Sequence, residues 1–335
     1  MKTILITGSS GFIGAALAQW CLDKGMRVIG VDNHNDYYDP ALKEARSSRL
    51  SENSNFIDVR GDICDQSLLE RVFVDFKPGI VLHLAAQAGV RYSMENPQAY
   101  ATSNLLGFTN VIEAARQHDV TSFFYASSSS VYGENEKLPF SEFDQAESPM
   151  SFYAATKKAN EIMAYSFSSL YGLKTVGLRF FTAYGPWGRP DMALYKFTKS
   201  ISEGREIDVF NSGQHRRDFT YIDDLVDSVT KLAFPELHNW PKRSFPKSEP
   251  FKSENFDIFN VGSGKPIPLI DYIQAIEKSL GVRAKLKFLP RQPGDVLETF
   301  ADTEKLRREI GELDHTPISE GVGKFVEWYL RHYGK

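Results

Sequence analysis

Lys2-Thr3-Ile4-Leu5-Ile6-Thr7-Gly8-Ser9-Ser10-Gly11-Phe12-Ile13-Gly14 reads as an apolar run of strand length, a turn punctuated by glycine, and the opening of an amphipathic helix. Glycine at positions 8, 11 and 14 permits a tight turn. It also lets the backbone approach a pyrophosphate at the helix N-terminus, where unpaired N–H groups point outward. Glycines after a strand are often only a turn. Here the strand-turn-helix context, and an acidic residue, Asp32, closing the next apolar run RVIGVD (27–32), favour dinucleotide binding.

Working outward, the apolar runs GIVLHLAA (79–86), SFFYASS (122–128) and KTVGLRFF (174–181) alternate with helix-period segments at 12–24, 97–117 and 152–171. Continuous rather than alternating apolarity means that both faces of the sheet are covered. The expectation is an α/β chain: a doubly wound parallel (Rossmann) sheet with a smaller C-terminal mixed α/β substrate domain. The expected partition is 1–181 with a return segment 218–262 for the dinucleotide domain, and 182–217 with 263–335 for the second. The proline-broken stretch 237–255 reads as a loop without chemistry.

Bulk properties narrow the function by exclusion. With 335 residues, 42% hydrophobic and 24% charged, the chain has the composition of an ordinary globular protein. A net charge of −4 with scattered Lys and Arg lacks the basic footprint of a nucleic-acid binder. Cys21 and Cys64 have no CxxC or His-rich neighbourhood, so free buried thiols and no metal site are expected. No apolar run has the length of a membrane span, and the chain opens directly on a strand, so no membrane partner and a cytoplasmic location are expected.

The expected cofactor is NAD. Gly8, Gly11, Phe12, Ile13 and Gly14 form the phosphate loop, and the Asp32 carboxylate can accept both ribose hydroxyls and repel the additional phosphate of NADP. Its neighbours Asn33, His34 and Asn35 offer no arginine to neutralise that phosphate. Asp62 and Ile63 can flank the adenine, or Asp62 can merely cap the next helix. Ala85 and Ala86, read as the end of the fourth strand, either let the dinucleotide lie on the sheet edge or only pack closely. Gln87 and Asn104 complete the assigned cofactor set.

Tyr153 and Lys157 lie four residues apart on one predicted helix, so they share a face. Lowering a tyrosine from about 10 toward neutrality costs about 1.36 kcal/mol per pKa unit, a load that a neighbouring ammonium and a cationic nicotinamide can carry. Tyr153 is then a base and Lys157 both its electrostatic support and a ribose contact. Ser128, closing the fifth strand, can bridge the reacting oxygen and the phenol. Separately, a serine run is usually loop and a Tyr/Lys pair usually surface. Their joint occurrence in this order points to redox chemistry at an alcohol carbon.

GSSGFIG (8–14), LAAQAGVR (84–91), YASSSSVYG (125–133), YAATK (153–157) and RFFTAYGPWGRPDMA (179–193) resemble the extended short-chain dehydrogenase/reductase family over nearly the whole chain. DNHNDYYDPALKEAR (32–46), GPWGRPDMA (185–193) and RRDFTYIDDLV (216–226) are similar to its UDP-glucuronate 4-epimerase group. The resemblance implies a UDP-sugar substrate, whose carbon 4 hydroxyl is deprotonated by Tyr153 while its hydride passes to tightly bound NAD. The 4-keto sugar rotates and regains the hydride on its other face. Related dehydratases carry an Asp-Glu pair beside the catalytic hydroxyl and decarboxylases a Glu. Ser129 and Ser130 occupy those positions here, which disfavours dehydration.

The resemblance also assigns Ser128 and Ser129 to the sugar and Thr182 and Arg189 to its carboxylate. Holding that carboxylate matters because a 4-keto uronate is a β-keto acid that loses carbon dioxide when the breaking bond aligns with the ketone. Arg217 corresponds to a diphosphate contact, Phe210 to a uracil platform and Asp295 to a uridine ribose acceptor. Arg291 is offset by one residue from the usual second phosphate arginine, and its role stays open. Homodimerisation through 97–117 and 152–171, and a place in polysaccharide biosynthesis, are further implications, although the apolar stripes of those helices would serve a monomer's core equally well. The alternatives are an epimerase of UDP-glucose or of a UDP-N-acetylhexosamine, a UDP-glucuronate decarboxylase, or a noncatalytic dinucleotide-binding protein.

Overall fold

The computed structural model describes residues 2–238, 253–290 and 297–334, which group into two compact units. The first comprises 1–136, 142–180 and 229–260, the second 137–141, 181–228 and 261–335. In the first, strands β1 (Thr3–Thr7), β2 (Arg27–Asp32), β3 (Phe56–Arg60), β4 (Ile80–His83), β5 (Ser122–Ser128) and β6 (Thr175–Phe180) are joined by β10 (Phe256–Val261). The sheet order is β10-β6-β5-β4-β1-β2-β3, and the pairings from β3 to β6 are all parallel. Between β4 and β1 the direction of winding reverses, and such a reversal opens a crevice at the carboxyl ends of the strands.

Parallel strands need crossovers, supplied here by α1 (Phe12–Asp23), α2 (Pro40–Ser51), α3 (Gln66–Phe76), α4 (Tyr92–Glu95), α5 (Pro97–Tyr100), α6 (Phe108–Gln117) and α7 (Phe152–Tyr171). Leu5, Ile29, Val31, Val81, Phe123 and Tyr125 on one sheet face cluster with Leu69, Val72, Phe73, Phe108, Val111 and Ala164 of α3, α6 and α7. The alternate strand residues Ile4, Ile6, Val28 and Phe124 are buried as well. Burial on both faces explains the unbroken apolar runs, each large side chain contributing about 1.5–3 kcal/mol.

Three local readings are corrected. β4 ends at His83, so Ala85 and Ala86 lie in the loop beyond the strand. The ladder stops because Gly8 turns away at φ 72°, and the Thr7 hydroxyl takes the Ala85 N–H at 3.3 Å instead. The segment 97–117 is not one regular helix, because a π-helical turn, Ala101–Gly107, separates α5 from α6. Of the two free cysteines Cys21 is fully buried, but Cys64 is only partly so and points its thiol at the Thr102 carbonyl.

In the second unit β9 (Arg216–Tyr221) is the hub. It pairs with β7 (Thr182–Tyr184) and β13 (Glu298–Thr299) in parallel and with β11 (Pro266–Pro268) antiparallel, which groups residues 216–221 with this unit; β8 (Glu206–Phe210) pairs with β12 (Lys285–Leu289). The buried Asp218 carboxylate accepts bonds from Ser263 N and Oγ at 2.7 Å, Gly264 N at 2.9 Å and Ala301 N at 3.0 Å, tying two further chain segments to β9. Helices α8 (Ala193–Ser202), α9 (Ile222–Ala233), α10 (Leu269–Leu280), α11 (Glu304–Ile310) and α12 (Ile318–Tyr333) complete the element list. The core of this unit is aromatic, with Phe219 stacked on Tyr272 at 4.0 Å and Tyr184 edge-on to both. Among the described residues no helix is long and apolar enough to cross a membrane.

Candidate active site

The glycine loop is shaped by close approach. A Cβ on Gly8 would sit 2.7 Å from Ala85 N, and one on Gly14 would sit 2.0 Å from the Gly8 carbonyl. Gly11 caps α1 without a side-chain bond, so no side chain competes for the helix N-terminus that Phe12 and Ile13 open. Asp32, buried at the end of β2, accepts Ser10 N at 3.0 Å and His34 N at 2.9 Å, one on each oxygen, leaving further acceptor capacity on both. A loop that only glycine fills, an open helix end and a fixed carboxylate fit the phosphates and ribose of NAD. Arg46, fully buried, donates to the Ser10 carbonyl at 3.0 Å and to Tyr38 OH at 2.7 Å.

Asp62 is not the cap of α3; Asp65 is, its side chain accepting Leu68 N. Asp62 instead accepts Cys64 N and the Asn33 amide at 2.8 Å each. Burial raises its pKa, but these bonds outweigh burial and hold the carboxyl below its usual range. Ile63 belongs to the core. Asn104, inside the π turn, accepts Gln87 N at 2.8 Å and donates to Gln87 O at 3.1 Å and Thr156 Oγ1 at 3.0 Å. The irregular turn thus brings one amide against both the loop after β4 and the helix α7, a recurrent use of π turns at functional sites.

The Ser151 hydroxyl caps α7, so Tyr153 stands in its first turn, edge-on to Tyr100 with ring centroids 6.1 Å apart. Lys157, one turn later, is 3% exposed and donates to the Ala126 carbonyl at 2.9 Å. Burial lowers its pKa to about 8. Ser128 ends β5 and caps the following 3-10 turn, its hydroxyl accepting Ser130 N at 3.2 Å and donating to Ser130 Oγ at 3.1 Å. Lys157, bonded to the strand that ends in Ser128, therefore shares one corner of the fold with the serine loop.

Behind that corner lies a group that the sequence reading missed. Glu161 takes both ends of the Arg179 fork at 2.8 Å and the Ser127 hydroxyl at 2.7 Å, with both charged side chains at most 2% exposed. Burial alone would raise the Glu161 pKa, but the guanidinium holds it below the carboxylate range. Arg179 also lies 4.7 Å over the Tyr132 ring. A signal was present: Tyr153, Lys157 and Glu161 form an i, i+4, i+8 stripe, and Arg179 is a charge inside an apolar strand.

In the second unit Thr182 and Arg189 border one small cleft with Tyr184, Met192, Tyr195 and Phe219. The Arg189 fork meets Asp191 at 2.9 and 2.5 Å. Phe210 closes β8, and Arg217 on β9 donates to the carbonyls of Arg216 and Leu297 at 3.0 Å each. Asp295 and Arg291 lie outside the described residues, as does most of 237–255.

Comparison with known proteins gives full-length matches. Protein CapI of Staphylococcus aureus is 48% identical over 99% of both chains. UDP-glucuronate 4-epimerase 4 of Arabidopsis thaliana is 45% identical over 99% of this chain and 76% of its own. The crystal structure of UDP-glucuronic acid 4-epimerase from Bacillus cereus, in complex with UDP-glucuronic acid and NAD, superposes with a TM-score of 0.88 at 30% identity, covering 99% of this chain and 100% of that one. Residues 4–235 match the NAD dependent epimerase/dehydratase family, and with that match spanning the glycine loop, Asp32 and the Tyr153/Lys157 helix, the chain belongs to this family.

Proposed function

We propose that this protein interconverts UDP-glucuronate and UDP-galacturonate by inversion at carbon 4. The full-length likeness to UDP-glucuronate 4-epimerases carries this reading. NAD, when bound, supplies the acceptor and then the donor of the carbon 4 hydride. Gly8, Gly11, Phe12, Ile13 and Gly14 bind its phosphates and Asp32 a ribose, with Asn33, Asp62, Ile63, Ala85, Ala86, Gln87 and Asn104 forming the surrounding wall. Tyr153 takes the proton of the carbon 4 hydroxyl and later returns it. The Lys157 ammonium favours the phenolate, and the Ser128 hydroxyl orients the reacting oxygen. Ser129, Thr182, Arg189, Phe210, Arg217 and Asp295 hold the nucleotide sugar, so the first unit is the NAD domain and the second the substrate domain.

The deciding experiment incubates the purified protein with UDP-glucuronate and follows products by proton NMR. UDP-galacturonate is expected, together with a loss of about 100-fold or more in kcat for Tyr153→Phe. A UDP-pentose as the main product would make the enzyme a decarboxylase, and turnover of neutral UDP-sugars alone would replace the substrate. The same reading includes a homodimer: Leu106, Ile162 and Leu170 are 50%, 61% and 70% exposed on the π turn and α7, an apolar face suited to isologous pairing. A monomer in sedimentation analysis would refute that part. Free Cys21 and Cys64 agree with a reducing, cytoplasmic compartment.

A further inference from the structure

Ser128 and Tyr153, the pair assigned above to the reacting oxygen, stand on different elements, one at the end of β5 and the other in the first turn of α7. Their spacing therefore depends on how α7 sits on β5, and two polar bonds hold that seating. Lys157 Nζ donates to the Ala126 carbonyl at 2.9 Å, and the Ser127 hydroxyl donates to Glu161 Oε1 at 2.7 Å. Lys157 and Glu161 are one helical turn apart, and Ala126 and Ser127 are the two residues immediately before Ser128. The helix grips the strand at consecutive residues, just where the serine turn begins.

Glu161 is itself held in place. Arg179 on β6 is the register partner of Ser127 on β5, so the two side chains stand on the same face of the sheet. Nε and Nη2 of Arg179 each reach one Glu161 oxygen at 2.8 Å, and all three residues are at most 2% exposed. The guanidinium also lies 4.7 Å over the ring of Tyr132, whose hydroxyl donates to Asn260 Oδ1 of β10 at 2.6 Å. Tyr132 ends the 3-10 turn, Ser129–Tyr132, that Ser128 caps. One ion pair thus holds both ends of the serine turn, Ser127 through the carboxylate and Tyr132 through the guanidinium.

A buried ion pair is a poor source of stability, because desolvation offsets most of the attraction, but a two-point fork has a direction that apolar packing lacks. We propose that Glu161, locked by Arg179, is a positioning residue that fixes Ser127 and through it places the Ser128 hydroxyl at the oxygen that Tyr153 deprotonates. The inference rests on the catalytic reading of Ser128 and Tyr153 given above. Glu161 moves no proton in this role and acts only through its neighbours. Without the Ser127 bond, β5 keeps its ladder to β6, but the serine turn loses one of its two anchors. A misplacement of about 1 Å caused away from the reacting atoms costs up to about 100-fold in rate.

The test compares full-length wild type, Ser127→Ala, Ser128→Ala and the double variant, with UDP-glucuronate as substrate, proton NMR for products and thermal melts for stability. Ser127→Ala is expected to lower kcat about tenfold while KM stays within about twofold of wild type. Its melting temperature should fall by no more than about 5 °C, because Glu161 keeps its fork with Arg179. In the Ser128→Ala background the same change should cost little further, since its effect passes through the hydroxyl already removed. Glu161→Leu with Arg179→Met removes both core charges together, and is expected to stay folded and to show the same loss of kcat. Wild-type kcat in Ser127→Ala, or in the folded apolar pair, would overturn the proposal. Equal fold-losses from Ser127→Ala in both backgrounds would overturn it as well, because they are the mark of a general loss of structure. Failure of wild type to turn over UDP-glucuronate would instead sink the substrate reading, and an unchanged kcat in Ser128→Ala would sink the catalytic role of that serine, so the failures are distinguishable.

Discussion

Replacing Lys157 by methionine separates what this side chain costs the fold from what it contributes to chemistry. The ammonium is 3% exposed, and burial lowers its pKa from 10.5 to about 8. At about 1.36 kcal/mol per pKa unit, that difference corresponds to about 3 kcal/mol of penalty for holding the charge inside. Below pH 8 folded and unfolded chains both carry the proton and the folded state bears the whole penalty. Between pH 8 and 10.5 the unfolded chain still binds the proton that the folded chain has released, so stability rises with pH, and above 10.5 the penalty is gone. Methionine has no such titration.

Wild-type stability should therefore gain on Lys157→Met by about 3 kcal/mol between neutral pH and 10.5, whatever offset the lost bond to Ala126 O leaves between them. Urea unfolding of both cofactor-free chains at a series of pH values measures this gap, the cofactor being omitted because its binding would add a linkage of its own. The same substitution should lower epimerisation by roughly 100-fold or more, since the Tyr153 phenolate then loses the ammonium that favours it. A stability gap that stays constant with pH, or that moves in favour of the variant as pH rises, would refute the buried-ammonium argument.

Three other outcomes are expected. Glu161→Ala should destabilise by about 3–5 kcal/mol, because it strands the Arg179 guanidinium in the core, and the pair Glu161→Leu with Arg179→Met should recover most of that loss in thermal melts. Gly14→Ala places a methyl group 2.0 Å from the Gly8 carbonyl and should yield protein purified with little or no NAD, read from its absorbance. His83 is fully buried with its pKa pushed down to about 3 by burial and then by the Lys157 charge. Below pH 6.5 the unfolded chain takes up a proton that the folded chain refuses, so this residue removes up to about 1.4 kcal/mol of stability per pH unit down to pH 3. His83→Gln should flatten that part of the acid unfolding curve.

What the sequence determined by itself is what short-range pattern encodes. Apolar runs bounded by turns define β1, β2 and β5, glycine spacing defines the phosphate loop, Asp32 follows from its place at a strand end, and the Tyr153/Lys157 pair follows from helical periodicity. Each of these needs only a few neighbouring residues to be specified. The end of β4, the π turn around Asn104 and the Asp65 cap in place of Asp62 were decided by groups distant in the chain or by competition between equivalent local candidates. Asn104 bonds Gln87 and Thr156, Glu161 bonds Ser127 and Arg179, and Asp218 bonds Ser263 and Ala301, none within a single element. Local periodicity says which face of a helix or strand is buried. It does not say which polar group a buried carboxylate or amide will meet, because that partner arrives only when the sheet and its crossovers have packed and every buried donor and acceptor must be satisfied.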